Sequence, residues 1–324
     1  MLLDRRQVVS GLLTSALALG GVARARAASF PAKDINFIIP YASGGGFDAY
    51  VRAVIPAMQS LLPGGIQVIP DNVDGAGGAK AANQLFRARP DGYTVSVLNV
   101  PGVLILQQQN SGIGFELDRL SWLCNMGSDS YGLLVPVDSP LRSIADLQAL
   151  ARQRPIKFTS TGPASTAYSA TRIASHLLDI PSQIIAGYKG TNDYIVAAMR
   201  GDGDAAICSL AALTQFRAGK LVRVIASFEE HSSIEGAEDA TTLKLPELSQ
   251  ILQLRPVAGP PKLPKELVDI LADTITKAMK DPKVVAWAAA NDANLDTKGP
   301  AETLEALHQQ AQFVEKWKAV LTPV

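Results

Sequence analysis

The sequence predicts an α/β protein of two lobes, and three observations carry that expectation. Its 324 residues are about twice a typical domain of roughly 150. Short apolar, β-branched runs alternate with amphipathic helical stretches, the pattern of mainly parallel sheets covered by helices on both faces. The alternation runs once from Asn36 and restarts near Tyr131, with a glycine- or hydroxyl-rich strand-to-helix loop in each half.

Taken in order, residues 1–27 read as a signal peptide. Arg5 and Arg6 precede the uncharged run from Gln7 to Ala23, whose 17 residues fall short of the about 20 needed to span a membrane. Ala25-Arg26-Ala27 then supplies a small-x-small cleavage signal. Asp4-Arg5-Arg6-Gln7-Val8-Val9 resembles a twin-arginine export signal, although Asp4 departs from the usual Ser or Thr, so that route and the general secretion route both stay open. Either way the mature protein is expected outside the cytoplasmic membrane, in the periplasm.

Asn36–Pro40 reads as a buried strand. Asp48–Leu62 reads as a helix with Val51, Val54, Ile55, Met58 and Leu62 on one face, kinked or broken at Pro56. A short strand Gln67–Pro70, a helix Ala79–Ala88, the turn Pro90-Asp91-Gly92 and a strand Thr94–Val100 follow. The second run begins with a strand Tyr131–Val137. A helix Ser143–Arg152 comes next, opened by a capping box with Asp146 in place of Glu. Strands are expected at Ile156–Ser160, Gln183–Ala186, Ala205–Cys208 and Val222–Ser227, with helices ending at Leu178 and spanning Asp193–Met199. The last third is helical: Lys265–Lys280, Lys283–Ala290 and Ala301–Val320. The expected division is residues 28–126 with 230–324 as domain 1 and 127–229 as domain 2, so the chain crosses between lobes and returns.

Composition excludes several function classes. Thirty basic and thirty acidic side chains leave no positive excess to neutralise a nucleic acid. Cleavage after Ala27 removes four arginines and one aspartate, so the balance becomes 26 against 29 and the mature chain is mildly acidic. Two cysteines and three scattered histidines, His176, His231 and His308, make no metal-ligand pattern. Cys124 and Cys208 could pair in an oxidising compartment, and two buried free thiols are the favoured reading. There is no Gly-x-Ser-x-Gly elbow, no Walker loop and no complete Gly-x-Gly-x-x-Gly, so neither catalytic residues nor a cofactor are expected.

The candidate chemistry lies in two loops. Tyr41-Ala42-Ser43-Gly44-Gly45-Gly46-Phe47-Asp48 joins a buried strand to a helix. The first N–H groups of a helix lack internal partners and the helix dipole adds partial positive charge there, while glycines let a ligand approach the backbone. That makes an anion site without a cationic side chain. Ser43 could donate a hydroxyl. Asp48 caps the helix, or accepts from a ligand. Ser160-Thr161-Gly162-Pro163-Ala164-Ser165-Thr166 repeats the arrangement in the second half with four hydroxyls. A tight turn and a polar helix cap are the plain structural alternatives. Two such loops, one per lobe, would face each other across a cleft at the carboxyl ends of strands.

These residues also carry a family resemblance. Ile38-Ile39-Pro40-Tyr41-Ala42-Ser43-Gly44-Gly45-Gly46-Phe47-Asp48 resembles the Val-Pro-Phe-x-Pro-Gly-Gly-Gly-x-Asp signature of the Bug family, the periplasmic solute-binding proteins of tripartite tricarboxylate transporters. Asp71-Asn72 with Gly75-Ala76-Gly77-Gly78, Pro90-Asp91-Gly92-Tyr93-Thr94, Tyr188-Lys189-Gly190, Gly201–Asp204 and Asp281-Pro282 are similar to further family segments in the same order. The resemblance implies a two-lobed periplasmic-binding-protein fold, the type II Venus flytrap. It implies a small carboxylate ligand held by the loop residues Tyr41, Ser43, Gly44, Gly45, Gly46, Phe47 and Asp48 and by Ser160, Thr161, Gly162, Ser165 and Thr166. By position, Asn99 and Ser209 would join them. Delivery to membrane permease subunits by a monomeric receptor is the implied role. Signalling to a sensor kinase, or an extracytoplasmic hydrolase or lyase using Asp48, are the alternatives. Ser43 stands where the family usually has Pro, Phe47 where Thr is common, Gly187 for Pro and Val73 for Arg. Phe47 suggests an apolar wall and hence an aromatic or less polar carboxylate.

Overall fold

The structure, a computed structural model, describes residues 30–109, 112–163 and 165–322. The expected export segment lies outside the described residues. Nine strands and their helices form a mixed, curled sheet system: β1 (Ile35–Ile39), β2 (Val68–Asn72), β3 (Thr94–Val97), β4 (Ser121–Pro136), β5 (Ile156–Thr159), β6 (Ser182–Ile185), β7 (Ala205–Ser209), β8 (Val222–Ser227) and β9 (Leu252–Gly259). The strand path is β2-β1-β3-β9-β4-β7-β5-β6, with β8 also paired to β4.

Parallel pairing holds where a helix connects consecutive strands: β1 with β2 and β3, and β5 with β6 and β7. The middle is antiparallel, which the expectation of mainly parallel sheets did not include. β4 is a 16-residue strand that serves both sheets. Its first part, Ser121–Ser130, pairs with β9, and Tyr131–Pro136 pairs with β7 and β8. The sequence reading found only the second part. Ser121–Ser130 is polar and glycine-interrupted, so it lacks the alternation of a half-buried strand, yet Leu123–Asp129 is buried on both faces by helices. β9 and the helix Gly102–Gln109 were also missed.

Most other elements lie within a few residues of their expected ends. Ser143 caps the helix Ile144–Ala151 with both capping-box bonds made. Gly46–Leu61 is one helix despite Pro56. The proline ring lies on the exposed side, where the carbonyl it frees can bond to water, while Val51, Val54 and Met58 are fully buried on the other side. The C-terminal helix instead ends at Lys316 and a last turn, Lys318–Leu321, follows.

Two large apolar cores result. One joins β1 and β3 to the helices Gly46–Leu61, Lys265–Ala278 and Pro282–Ala290. The other joins β4 to β8 and their helices. Ile234, Leu248 and Ile251, and then Phe313, Val314 and Trp317, also pack in the second core. Cys124 and Cys208 are separate buried free thiols, one in each core.

Candidate functional site

The carboxyl ends of β1, β3 and β5 bring the candidate residues together. Gly44 takes φ +83°, a left-handed turn that glycine adopts without strain. Its N–H donates to Asp48 Oδ2 at 2.9 Å. Gly45 is the N-cap of the helix that begins at Gly46 and has an extended conformation, φ −83°. Ser43, Gly44, Gly45 and Gly46 are all exposed. The loop backbone up to the first helical residue is therefore open to solvent, while Phe47 and Asp48 behind it are buried.

Asp48 is buried and its oxygens are engaged. Oδ1 accepts from Arg52 Nε at 2.8 Å and from Asn72 Nδ2 at 3.1 Å, and Oδ2 accepts from Gly44. Asn72 Nδ2 also donates to the Tyr41 carbonyl at 2.9 Å. Asp48 thus ties both ends of the loop together. Burial pushes its carboxyl upward, but the Arg52, Gly44 and Asn72 hydrogen bonds outweigh that and hold it below the ordinary 3.8. A carboxylate so stabilised is a poor base near neutral pH, which disfavours the hydrolase reading. Because the folded value is depressed, the stabilisation is present at neutral pH and lost as pH falls through that value. Asp48→Asn should therefore flatten the acid limb of stability against pH below about pH 4, measured by chemical denaturation across pH.

Phe47 does not form an open wall. As the second residue of the helix it turns inward, is 5% exposed, and meets the Tyr41 ring at 5.1 Å between centroids. The structure therefore gives no support to an aromatic preference based on that side chain.

Tyr41, Asn99 and Thr166 meet. Asn99 is 1% exposed just beyond β3. Its Nδ2 donates to the Tyr41 hydroxyl at 2.6 Å, and its Oδ1 accepts from Thr166 Oγ1 at 2.8 Å and from Gln253 Nε2 at 3.1 Å. One amide so links the first loop, the helix after the second loop, and strand β9. Burial pushes the Tyr41 phenol up to about 12, against a smaller opposing effect of the Asn99 bond, so the hydroxyl stays protonated.

In the second loop, Ser165 caps the helix Thr166–Leu177 by accepting from the Tyr168 N–H at 3.1 Å. Its hydroxyl also donates to the Gly162 carbonyl at 2.8 Å. Ser165 is therefore occupied locally. The Ser160 and Thr161 hydroxyls are buried and, among the described residues, have no hydrogen-bond partner. They are the loop's uncommitted polar atoms, and buried polar groups of this kind call for a partner. Ser209 ends β7, half-buried, at the same sheet edge as Ser160. Nearby, a cleft of about 410 Å³ is lined by Asp129, Ser130, Leu210, Arg217 and Asn294, among others. It lies where β4 passes from one sheet to the other.

Asn72, Arg52, Gln253, Arg255 and Asp129 escaped the sequence reading as site residues. Arg255, 3% exposed, is ion-paired to Asp129 at 2.5 Å. Its guanidinium carbon lies 4.2 Å from the Tyr50 ring centre and 5.0 Å from that of Phe47. Burial disfavours the charged guanidinium, but the Asp129 carboxylate outweighs burial and raises its pKa. A lone charge inside the apolar run from Ile251 to Val257 was the available signal.

Known proteins resemble this chain over most of its length. Residues 51–322 match the family model described as tripartite tricarboxylate transporter family receptor. A protein encoded in the tcbD–tcbE intergenic region of Pseudomonas sp. strain P51 is 26% identical, with 98% of this chain and 94% of that protein covered. Protein BugT of Bordetella pertussis is 26% identical, with 94% of each covered. Among solved structures, the periplasmic binding protein BugD aligns with a TM-score of 0.79 at 20% identity, over 90% of this chain and 98% of that one. MatC from Rhodopseudomonas palustris, solved with bound malate, aligns with a TM-score of 0.76 at 20% identity, over 90% and 100%. The fold is that of the two-lobed periplasmic binding proteins, and the family is one of receptors rather than enzymes. With 272 consecutive residues matched, this chain belongs to the tripartite tricarboxylate transporter receptor family, the family that its glycine loops and ordered motifs resembled.

Proposed function

We propose that the chain is an exported receptor that captures a small carboxylate between its two loops and delivers it to membrane permease subunits. The observation that carries this reading is the meeting of both loops at Asn99; the first loop exposes its glycines and the second holds the uncommitted Ser160 and Thr161 hydroxyls. The ligand carboxylate would rest on the amides of Gly45 and Gly46, since that of Gly44 is held by Asp48, with the second loop closing on it. Such a site takes an anion on a mildly acidic protein through local dipoles rather than bulk charge. The malate complex noted above and a related R. palustris protein solved with adipate point to aliphatic dicarboxylates as the first ligands to try.

The lobes of the proposed receptor are built around the two cores, with β4 and β9 as the crossing strands about which closure occurs. A ligand drives closure only through contacts stronger in the closed state. The site is tested by mass spectrometry of molecules released from the purified protein on denaturation, with calorimetry against malate, adipate and benzoate. Release or micromolar binding of a carboxylate is expected. Failure to detect either with any carboxylate overturns the reading.

A further inference from the structure

We infer that Arg255 is a specificity-determining residue of the proposed carboxylate site: its guanidinium, buried beneath Gly46 and held by Asp129, supplies the positive charge that favours an anionic group on the first glycine loop. This rests on the carboxylate reading above.

Four observations support it. A Cβ built on Gly46 would lie 3.6 Å from Arg255 Nη2, so one backbone segment separates the guanidinium from the exposed loop surface. Arg255 Nε and Nη1 are buried without a hydrogen-bond partner among the described residues, so Asp129 and Gln253 engage the guanidinium through Nη2 alone. The counter-ion, Asp129, is equally buried at 3% exposed, but it lines the 410 Å³ cleft, among whose lining residues are none of the two loops, whereas Arg255 is the member of the pair that reaches the glycine loop. Finally, Gln253 joins Arg255 to Asn99, accepting from Nη2 at 3.5 Å and donating to Asn99 Oδ1 at 3.1 Å. The pair is thereby coupled to the residue that joins the loops. Taking an arginine and an aspartate out of water is costly.

The two charges should then act on an anionic ligand with opposite signs. Asp129→Asn keeps a hydrogen-bond partner for the guanidinium while unmasking its charge. Arg255→Gln leaves the Asp129 carboxylate buried without its counter-ion. Calorimetry with malate and adipate should show about tenfold tighter binding for Asp129→Asn and about tenfold weaker for Arg255→Gln. Arg255→Lys should restore most of the loss, and thermal unfolding of each variant shows whether it folds. Asp129→Asn carries the test if Arg255→Gln does not fold, because a merely structural pair would lose affinity or be unaffected when Asp129 is changed. Carboxylate binding by the unmodified protein with both variants shifted the same way, or neither shifted, overturns this inference alone. No carboxylate binding by the unmodified protein overturns it together with the proposed function.

Discussion

Asn99→Ala should cost about 2–3 kcal/mol of stability and weaken carboxylate binding by about a hundredfold or more. The side chain makes three hydrogen bonds, to Tyr41, Thr166 and Gln253, from a position that is almost fully buried. Alanine would leave the Thr166 hydroxyl and the Gln253 amide each without its acceptor. Stranding a buried polar group costs about 1–3 kcal/mol, more than the bond itself contributes to stability. The Tyr41 hydroxyl would keep its bond to the Gly77 carbonyl at 3.3 Å, so the damage falls on the connection between loops rather than on the first loop alone. Binding suffers further because the two loops lose their common anchor, and misplacing half of a ligand's contacts forfeits their cooperation. Thermal unfolding and calorimetry on the same preparation measure both effects. An unchanged melting temperature would show that Asn99 does not hold the loops together.

Gly45→Val should abolish ligand binding, by at least about a hundredfold, with almost no change in stability. Gly45 has backbone angles open to any residue, and an added Cβ meets only the Ala42 carbonyl oxygen at 3.6 Å, an ordinary contact. The β-branched side chain would stand on the exposed loop where a ligand must reach the backbone amides. At about 1.4 kcal/mol for each tenfold in affinity, loss of two charge-assisted hydrogen bonds accounts for an effect of this size. The neighbouring Gly44→Val is the informative contrast. There φ is +83°, so valine is strained and the fold itself should be destabilised, by about 1–2 kcal/mol. Calorimetry separates the cases: full-strength carboxylate binding by Gly45→Val refutes the first loop as the site.

Much of the candidate site was legible because its signals are local. Three consecutive glycines between a β-branched strand and an amphipathic helix announce an anion-ready helix start, and Ser165 announces a cap. The same local signals misled where a residue has two roles. Asp48 and Phe47 sit on the right loop, but Asp48 is consumed by Arg52, Gly44 and Asn72, and Phe47 faces the core. The Arg52 pair at i+4 is readable in spacing, but the Asn72 bond joins residues 24 positions apart, and the burial of Phe47 depends on which side of the helix the sheet lies.

Most of the strands and helices in their order, the two strand-to-helix loops and the family resemblance were thus contained in the chain itself, since periodicity, caps and glycine turns act over a few residues. Only tertiary structure decided that one long strand, β4, would serve two sheets, that β9 would run antiparallel beside it, and that segments near the C-terminus would pack in the second core. It alone brought Asn99 between Tyr41 and Thr166, and Arg255 beneath Gly46 with Asp129 as counter-ion. These are pairings between residues dozens to more than a hundred positions apart. They form because buried polar and charged groups must find partners, and which partner is within reach is a property of the folded chain.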